Sequence, residues 1–174
     1  MEPRQVELRL ATPEEAGLLS DLLDIYMREL KNAFSIRAGP DGRFRYEKLP
    51  LYWEEPGRLP FLICSGGDPA GFVLATRGSP ATDDPEDLDV AEFFILSAHR
   101  RAGVGRRAAS ILWNRLPGRW VVRVAEANAA GLGFWSATVR EYTGGAFAQE
   151  RRLVSPHAWQ VFTFTSGKLD KPIS

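Results

Sequence analysis

The sequence predicts an α/β protein in which antiparallel first strands are followed by a strand-helix-strand centre and two closing strands. Three observations carry this. Short apolar runs alternate with longer segments whose apolar residues recur at helical spacing, and glycine- and proline-rich turns separate them. The order of the pieces is strand, helix, short helix, three strands, helix, strand, helix, two strands. With 174 residues, 44% hydrophobic and 25% charged, the chain fits one soluble domain over 1–174, which excludes disordered, collagenous and coiled-coil readings. There is no internal repeat and no low-complexity tract.

Val6 to Leu10 alternates as a short strand. Thr12-Pro13-Glu14-Glu15 then reads as an N-cap, a first-turn proline and a capping-box glutamate, so a helix starts there. Leu19, Leu22, Leu23, Tyr26 and Leu30 place one apolar stripe on it. After the loop Ala38-Gly39-Pro40-Asp41-Gly42, Tyr46 to Trp53 reads as a short second helix ended by Pro56-Gly57. Leu59 to Cys64 and Gly71 to Thr76 are apolar runs separated by Ser65-Gly66-Gly67-Asp68-Pro69, the pattern of an antiparallel hairpin. The acidic loop Thr82 to Asp87 leads into an apolar strand, Leu88 to Leu96. A helix from Gly103 to Leu116 follows, with Val104, Ala108, Ile111 and Leu112 on one face and Pro117-Gly118 as its stop. Trp120 to Ala125 is a strand, Asn128 to about Tyr142 a helix ended by Gly144-Gly145, and Ala146 to Arg151 and Ala158 to Thr165 are the closing strands.

Composition excludes several functions. Cys64 is the only cysteine and cannot close an intramolecular disulfide, and with His99 and His157 as the only imidazoles a zinc site lacks ligands, so no metal is expected. Neither Cys64 nor His157 has neighbours that suggest a nucleophile. Met1-Glu2-Pro3-Arg4 has no apolar segment behind a basic start, and no stretch approaches the roughly 20 apolar residues of a membrane span. A cytoplasmic protein is the simplest expectation. The net charge of zero hides an asymmetry: residues 1–96 carry 10 basic and 18 acidic side chains, residues 97–174 carry 12 and 4. Arg100, Arg101, Arg106, Arg107, Arg115, Arg119 and Arg123 lie in a stretch without one Asp or Glu. They suit an anionic ligand, or pairing with the acidic half of the chain. No motif supports a nucleic-acid partner.

The chemistry concentrates where Phe94-Ile95-Leu96 leads through a basic loop into a helix opening on Gly103 and Gly105. Unpaired N–H groups at a helix start bind anions, glycines let backbone approach a phosphate, and arginines add charge-assisted hydrogen bonds. Gly103-x-Gly105-x-x-Ala108, with Glu126 about 20 residues on, also satisfies a dinucleotide-binding fingerprint. That fold turns from strand directly into its first glycine, however, and needs more parallel strand-helix pairs than the remaining chain supplies.

Arg100-Arg101-Ala102-Gly103-Val104-Gly105 reads as R-x-x-G-x-G and resembles the coenzyme A pyrophosphate loop of the GNAT superfamily of N-acetyltransferases. Asn128 near a helix start, followed by Phe134-Trp135, and the order of elements extend the resemblance across nearly the whole chain. It implies a mixed sheet of about seven strands with a splayed central parallel pair, flanked by about four helices. It also implies acetyl-CoA as co-substrate and direct attack of an amine, on a small molecule or a peptide, on the thioester. Backbone amides of Arg101, Ala102, Gly103, Val104, Gly105 and Arg106 would hold the pyrophosphate, with Arg100 and Arg106 supplying charge. Main-chain groups around Phe94, Ile95 and Leu96 would bind pantetheine and polarise the acetyl carbonyl. Asn128 would bond coenzyme A, and it equally suits a helix N-cap. Homodimers are a family expectation.

An amine with a pKa near about 10.4 must lose a proton before it attacks. Glu92, on the same strand face as Phe94 and Leu96, is the leading base, since partial burial there would bring a carboxyl toward the proton-transfer range. The other reading of Glu92 is a residue at a solvated strand entrance paired with an arginine. Glu126 is the second choice. Where the family commonly has a tyrosine that protonates the leaving thiolate, this sequence has Trp135, whose indole N–H cannot serve as that acid. Trp135 suits packing against the cofactor or plain core. Tyr142 lies about two helical turns further on and is not assigned the role. Tyr26, Phe34, Phe44, Tyr46, Tyr52, Trp53, Glu54 and Glu55 fall where the fold places its acceptor pocket, and aromatics with carboxylates suit a cationic amine. The competing functions are a non-catalytic acyl-CoA-binding module and, from another class, a dinucleotide-dependent oxidoreductase.

Overall fold

The structure is a computed structural model that describes residues 4–167, so Met1–Pro3, part of the segment read above for a leader, lie outside the described residues. Among the described residues seven strands form one sheet: β1 (Val6–Leu10), β2 (Arg58–Ser65), β3 (Asp68–Arg77), β4 (Leu88–Ile95), β5 (Gly118–Ala125), β6 (Ala148–Val154) and β7 (His157–Ser166). Their hydrogen-bonded order is β1-β2-β3-β4-β5-β7-β6. The helices are α1 (Ala16–Phe34), α2 (Leu51–Glu54), α3 (Val104–Arg115) and α4 (Ala129–Thr143). β1 and β2 run antiparallel, as do β5 and β7 and β6 and β7, whereas β4 and β5 are parallel. The expected mixed sheet with a parallel pair and four helices is therefore present. The described residues divide into two compact units, residues 4–75 with Glu92–Val104, and Thr76–Ala91 with residues 105–167.

In the first unit a 3-10 turn at Pro13–Glu15 opens α1. Thr12 N–H donates to Glu15 Oε1 at 3.0 Å, and the Arg9 guanidinium grips both oxygens of the same carboxylate at 2.7 Å. The helix ends at Ser35, which is left-handed. Leu19, Leu22 and Leu23 are buried against Leu62, Phe72, Leu74 and Phe94, as the stripe requires. The second helix is shorter than the expected Tyr46–Trp53. Proline at position 50 disfavours helical backbone at Leu49 and has no N–H to donate, so residues 46–50 form successive turns, such as Leu49 N–H to Tyr46 O at 3.1 Å, before α2 begins. The β2-β3 hairpin is tighter than expected, because Gly66 and Gly67 both take positive φ and make a two-residue turn, which lets the strands extend to Ser65 and Asp68. At Gly71 a side chain is impossible without backbone movement: a Cβ there would lie 1.9 Å from the Phe94 carbonyl oxygen.

In the second unit the parallel register of β4 and β5 covers Leu88↔Trp120, Asp89↔Val121 and Val90↔Val122. β5 pairs along its whole length with β7, from Gly118↔Ser166 to Ala125↔Trp159. Asp89 is fully buried and accepts Arg123 Nε at 3.0 Å, Arg123 Nη2 at 2.7 Å and the Ser79 hydroxyl at 2.7 Å. The core is aromatic. Trp113, absent from the face expected for α3, is fully buried with its ring 4.7 Å from Phe164 and 6.2 Å from Trp135.

Candidate functional site

Glu92 lies on β4 in the first unit, half-buried, and its carboxylate is met by two tyrosines. Tyr26, from the apolar stripe of α1, donates its hydroxyl to Oε2 at 2.5 Å, and Tyr46, from the turns before α2, donates to Oε1 at 3.5 Å. The Tyr26 ring stands edge-on to Phe72 at 5.5 Å and tilts against Phe94 at 5.5 Å. Glu92 and Phe94 thus share a strand face, as the period of two requires. Burial first, then the negative charge of Glu92, hold the Tyr26 hydroxyl well above the usual phenol pKa, and the same causes raise Tyr46. Burial also raises Tyr52.

The other pocket residues divide. Phe44 and Tyr52 are buried, with Arg28 and Arg58 over their rings. Trp53 donates its indole N–H to Ala11 O at 3.0 Å, and Glu55 pairs with Arg58 at 2.6 Å. The partnership of Tyr26 and Tyr46 with Glu92 was not read from the sequence. They are 66 and 46 residues away from it, and the only local sign is a hydroxyl on an otherwise apolar stripe.

Three residues beyond Glu92 the strand ends, and the backbone is divided between its two edges. Leu96 N–H donates to Ala70 O at 2.8 Å, and the Phe94 carbonyl faces Gly71, so these groups point toward β3. Alternation turns the Ile95 N–H and carbonyl to the opposite edge, where Arg100 Nε donates to Ile95 O at 2.8 Å. The Arg100 guanidinium is further held by Glu29 of α1 at 2.8 Å and lies 5.4 Å from the Phe94 ring centre. Arg101, exposed, has φ 65° and Gly103 has φ 76°, so left-handed residues alternate through the turn that feeds α3 at Val104. The first N–H groups of α3 have no helical acceptor, and such groups at a helix start suit an anion. A Cβ at Gly103 would meet no atom within 4 Å, which leaves open space over the turn.

In the second unit, Gly105 is buried in the first turn of α3 and Arg106 pairs with Glu141 at 2.5 Å. Asn128 caps α4, its Oδ1 accepting Gly131 N–H at 3.0 Å. Trp135 is buried beside Trp113 and Phe134. The Tyr142 hydroxyl donates to Asn114 Oδ1 at 2.6 Å. Glu126 receives Arg151 at 2.7 Å and Gln160 at 2.9 Å, and these bonds, Arg151 first, lower its pKa, which makes it a weak base.

Comparison with known proteins gives a consistent answer. No curated protein matches the sequence significantly. Among solved structures, an acetyltransferase from Thermus thermophilus shares 19% identity with a TM-score of 0.66, covering 95% of this chain and 99% of its own. The aminoglycoside acetyltransferase AAC(6')-Ib in complex with coenzyme A shares 15% over 92% of this chain and 95% of its own, with a TM-score of 0.66. Spermidine N-acetyltransferase from Vibrio cholerae, in complex with coenzyme A and spermine, shares 14% over 94% and 97%, with a TM-score of 0.64. At these identities the likeness establishes the fold. The family itself is established by the sequence model of the acetyltransferase (GNAT) family, which matches residues 19–137, and the chain belongs to that family.

Proposed function

We propose that the protein transfers an acetyl group from acetyl-CoA to the amine of a small molecule or a peptide. The observation that carries this reading is the turn at Arg101–Gly103, whose alternating left-handed residues and open glycine face lead straight into the N-terminus of α3. Its residues fit a diphosphate: N–H groups of Arg101 to Arg106 would hold the oxygens with no Cβ at Gly103 in the way. When bound, acetyl-CoA supplies an activated acyl thioester.

The chain's own groups do the rest. Ile95 N–H, on the edge of β4 turned away from β3, is the main-chain donor we assign to the acyl oxygen, since Leu96 N–H is committed to Ala70 O. Glu92 takes the proton that a cationic amine must lose. As the new C–N bond forms and the C–S bond breaks, coenzyme A would depart as the thiolate, with no tyrosine at position 135 to protonate it, and the second proton lost by the amine nitrogen balances that charge. A thiol pKa near about 8.5 makes that departure feasible, and a positioned acid typically adds only about 10²–10⁴-fold. Tyr26, Tyr46 and the Glu92 carboxylate favour a cationic acceptor. A free, buried Cys64 suits a reducing compartment, and we place the protein in the cytoplasm. No helix among the described residues is long and apolar enough to cross a membrane.

Trp135 in place of the usual tyrosine, with the Tyr142 hydroxyl committed to Asn114, favours a second reading, a module that binds acyl-CoA without turning it over. An acetyl-CoA assay over a panel of polyamines, aminoglycosides and lysine peptides, reading thiol release together with the mass of the acetylated amine, separates the two. Stoichiometric thiol and acetylated amine are expected; tight acetyl-CoA binding with no acetylated product supports the module.

A further inference from the structure

We propose that Tyr26 is a positioning residue for Glu92, its hydroxyl fixing the orientation of the carboxylate and favouring its ionised form. The inference rests on the assignment of Glu92 as the base and adds a residue that the assignment does not require.

The Tyr26 ring is accounted for by packing: it closes a three-ring cluster with Phe72 and Phe94, whose own centres are 5.9 Å apart. Phenylalanine would fill that space as well. The hydroxyl has no packing role, and it donates to Glu92 Oε2 at 2.5 Å. The rings that lock Tyr26 therefore lock the direction from which its proton reaches the carboxylate. Tyr46 reaches the other oxygen, Oε1, at 3.5 Å and holds it more loosely. An ionised carboxylate offers about four acceptor positions. The two hydroxyls meet different oxygens and together use two of those positions. Hydrogen bonds donated to the charged form favour that form, so burial and the two hydroxyls act on Glu92 in opposite directions.

The surroundings are consistent with this division. Tyr26 approaches from α1, Tyr46 from the segment before α2, and Tyr52 of α2 feels the field of the Glu92 carboxylate. Arg58 of β2 acts on Tyr46 and Tyr52, and Arg100 lies over Phe94. Phe72 of β3 contributes no charge. Because burial and Glu92 both keep the Tyr26 proton in place far above neutrality, Tyr26 remains a donor at any working pH.

The first measurement needs no acceptor. In protein carrying ¹³C-labelled glutamate side chains, the Glu92 carboxyl resonance is identified by its loss in Glu92→Gln, and its titration is followed in wild type, Tyr26→Phe and Tyr46→Phe. Removing a donor to the charged form moves the midpoint upward. Tyr26→Phe is expected to titrate about one to two pH units higher than wild type, and Tyr46→Phe less. The acid limb of kcat/KM for thiol release with an amine from the panel is expected to move by the same amount. A midpoint unchanged in Tyr26→Phe, in folded protein, overturns the inference while leaving Glu92 as the base. An acid limb that persists in Glu92→Gln overturns the base assignment itself, whatever the resonance does.

Discussion

At the scale of single residues, the arginines between Ser97 and Arg123 show how one composition signal divides into several jobs. Arg100 holds Glu29 and the Ile95 carbonyl, Arg106 holds Glu141, Arg119 lies 3.7 Å from Asp87, and Arg123 neutralises the buried Asp89. Arg101 stays exposed at the turn. Pairing with the acidic half of the chain thus accounts for Arg100, Arg119 and Arg123. The Asp89 contact is the one with a large stability consequence, because a carboxylate with no exposure cannot turn to water for compensation. Arg123→Met is expected to destabilise the protein by about 3–5 kcal/mol, whereas Asp89→Leu combined with Arg123→Met recovers most of that loss. Urea unfolding of the three proteins checks it; a single variant within about 1 kcal/mol of wild type contradicts it.

At the scale of elements, the turn before α3 depends on backbone that few side chains adopt. Gly103 at φ 76° would cost a β-branched residue about 1–2 kcal/mol, and its side chain would stand in the open space over the N–H groups. Gly103→Val is expected to leave a folded protein whose affinity for coenzyme A falls at least tenfold, measured by calorimetry; undiminished affinity removes the turn from the site. Much of this element was legible in the sequence, because glycine spacing, helix start and preceding strand all lie within about a dozen residues. The stripe on α1 was legible for the same reason. The short α2 was not, since the apolar residues of 46–53 suggest a helix while Pro50 delays it, a conflict that local pattern alone leaves open. Nor was the meeting of Tyr26 and Tyr46 with Glu92. Long-range contacts of a tyrosine on an apolar stripe depend on how the stripe is rotated over the sheet, and periodicity locates the stripe only to within a residue or so. Trp113 shows the same margin on α3, where the buried face reaches one residue beyond the expected Leu112.

At the scale of the whole molecule, carboxylates held by guanidinium groups and a backbone N–H set the response to acid. Glu15 and Asp41 have their pKa values lowered from 4.5 and 3.8 to about 2, Glu15 by the Arg9 hydrogen bond first and Asp41 by the Arg45 hydrogen bond first. Asp24 is lowered chiefly by the Phe44 N–H, and Glu126 by Arg151. Each folded-state value lies below the unfolded one, so the unfolded chain binds more protons as pH falls. Their contribution is complete above about pH 4.5 and is lost as pH drops toward about 2. The urea midpoint is expected to be level from pH 7 to 5 and to fall between pH 4 and 3; a midpoint that holds or rises there contradicts the pairing. Function makes a different demand on charge, since the diphosphate of coenzyme A is assigned to main-chain N–H groups in one short turn. A crystal structure with coenzyme A bound tests this most directly. Diphosphate oxygens are expected about 2.7–3.2 Å from backbone nitrogens between Arg101 and Arg106, over the bare face of Gly103. A cofactor whose diphosphate lies elsewhere, with that turn left to solvent, would contradict it.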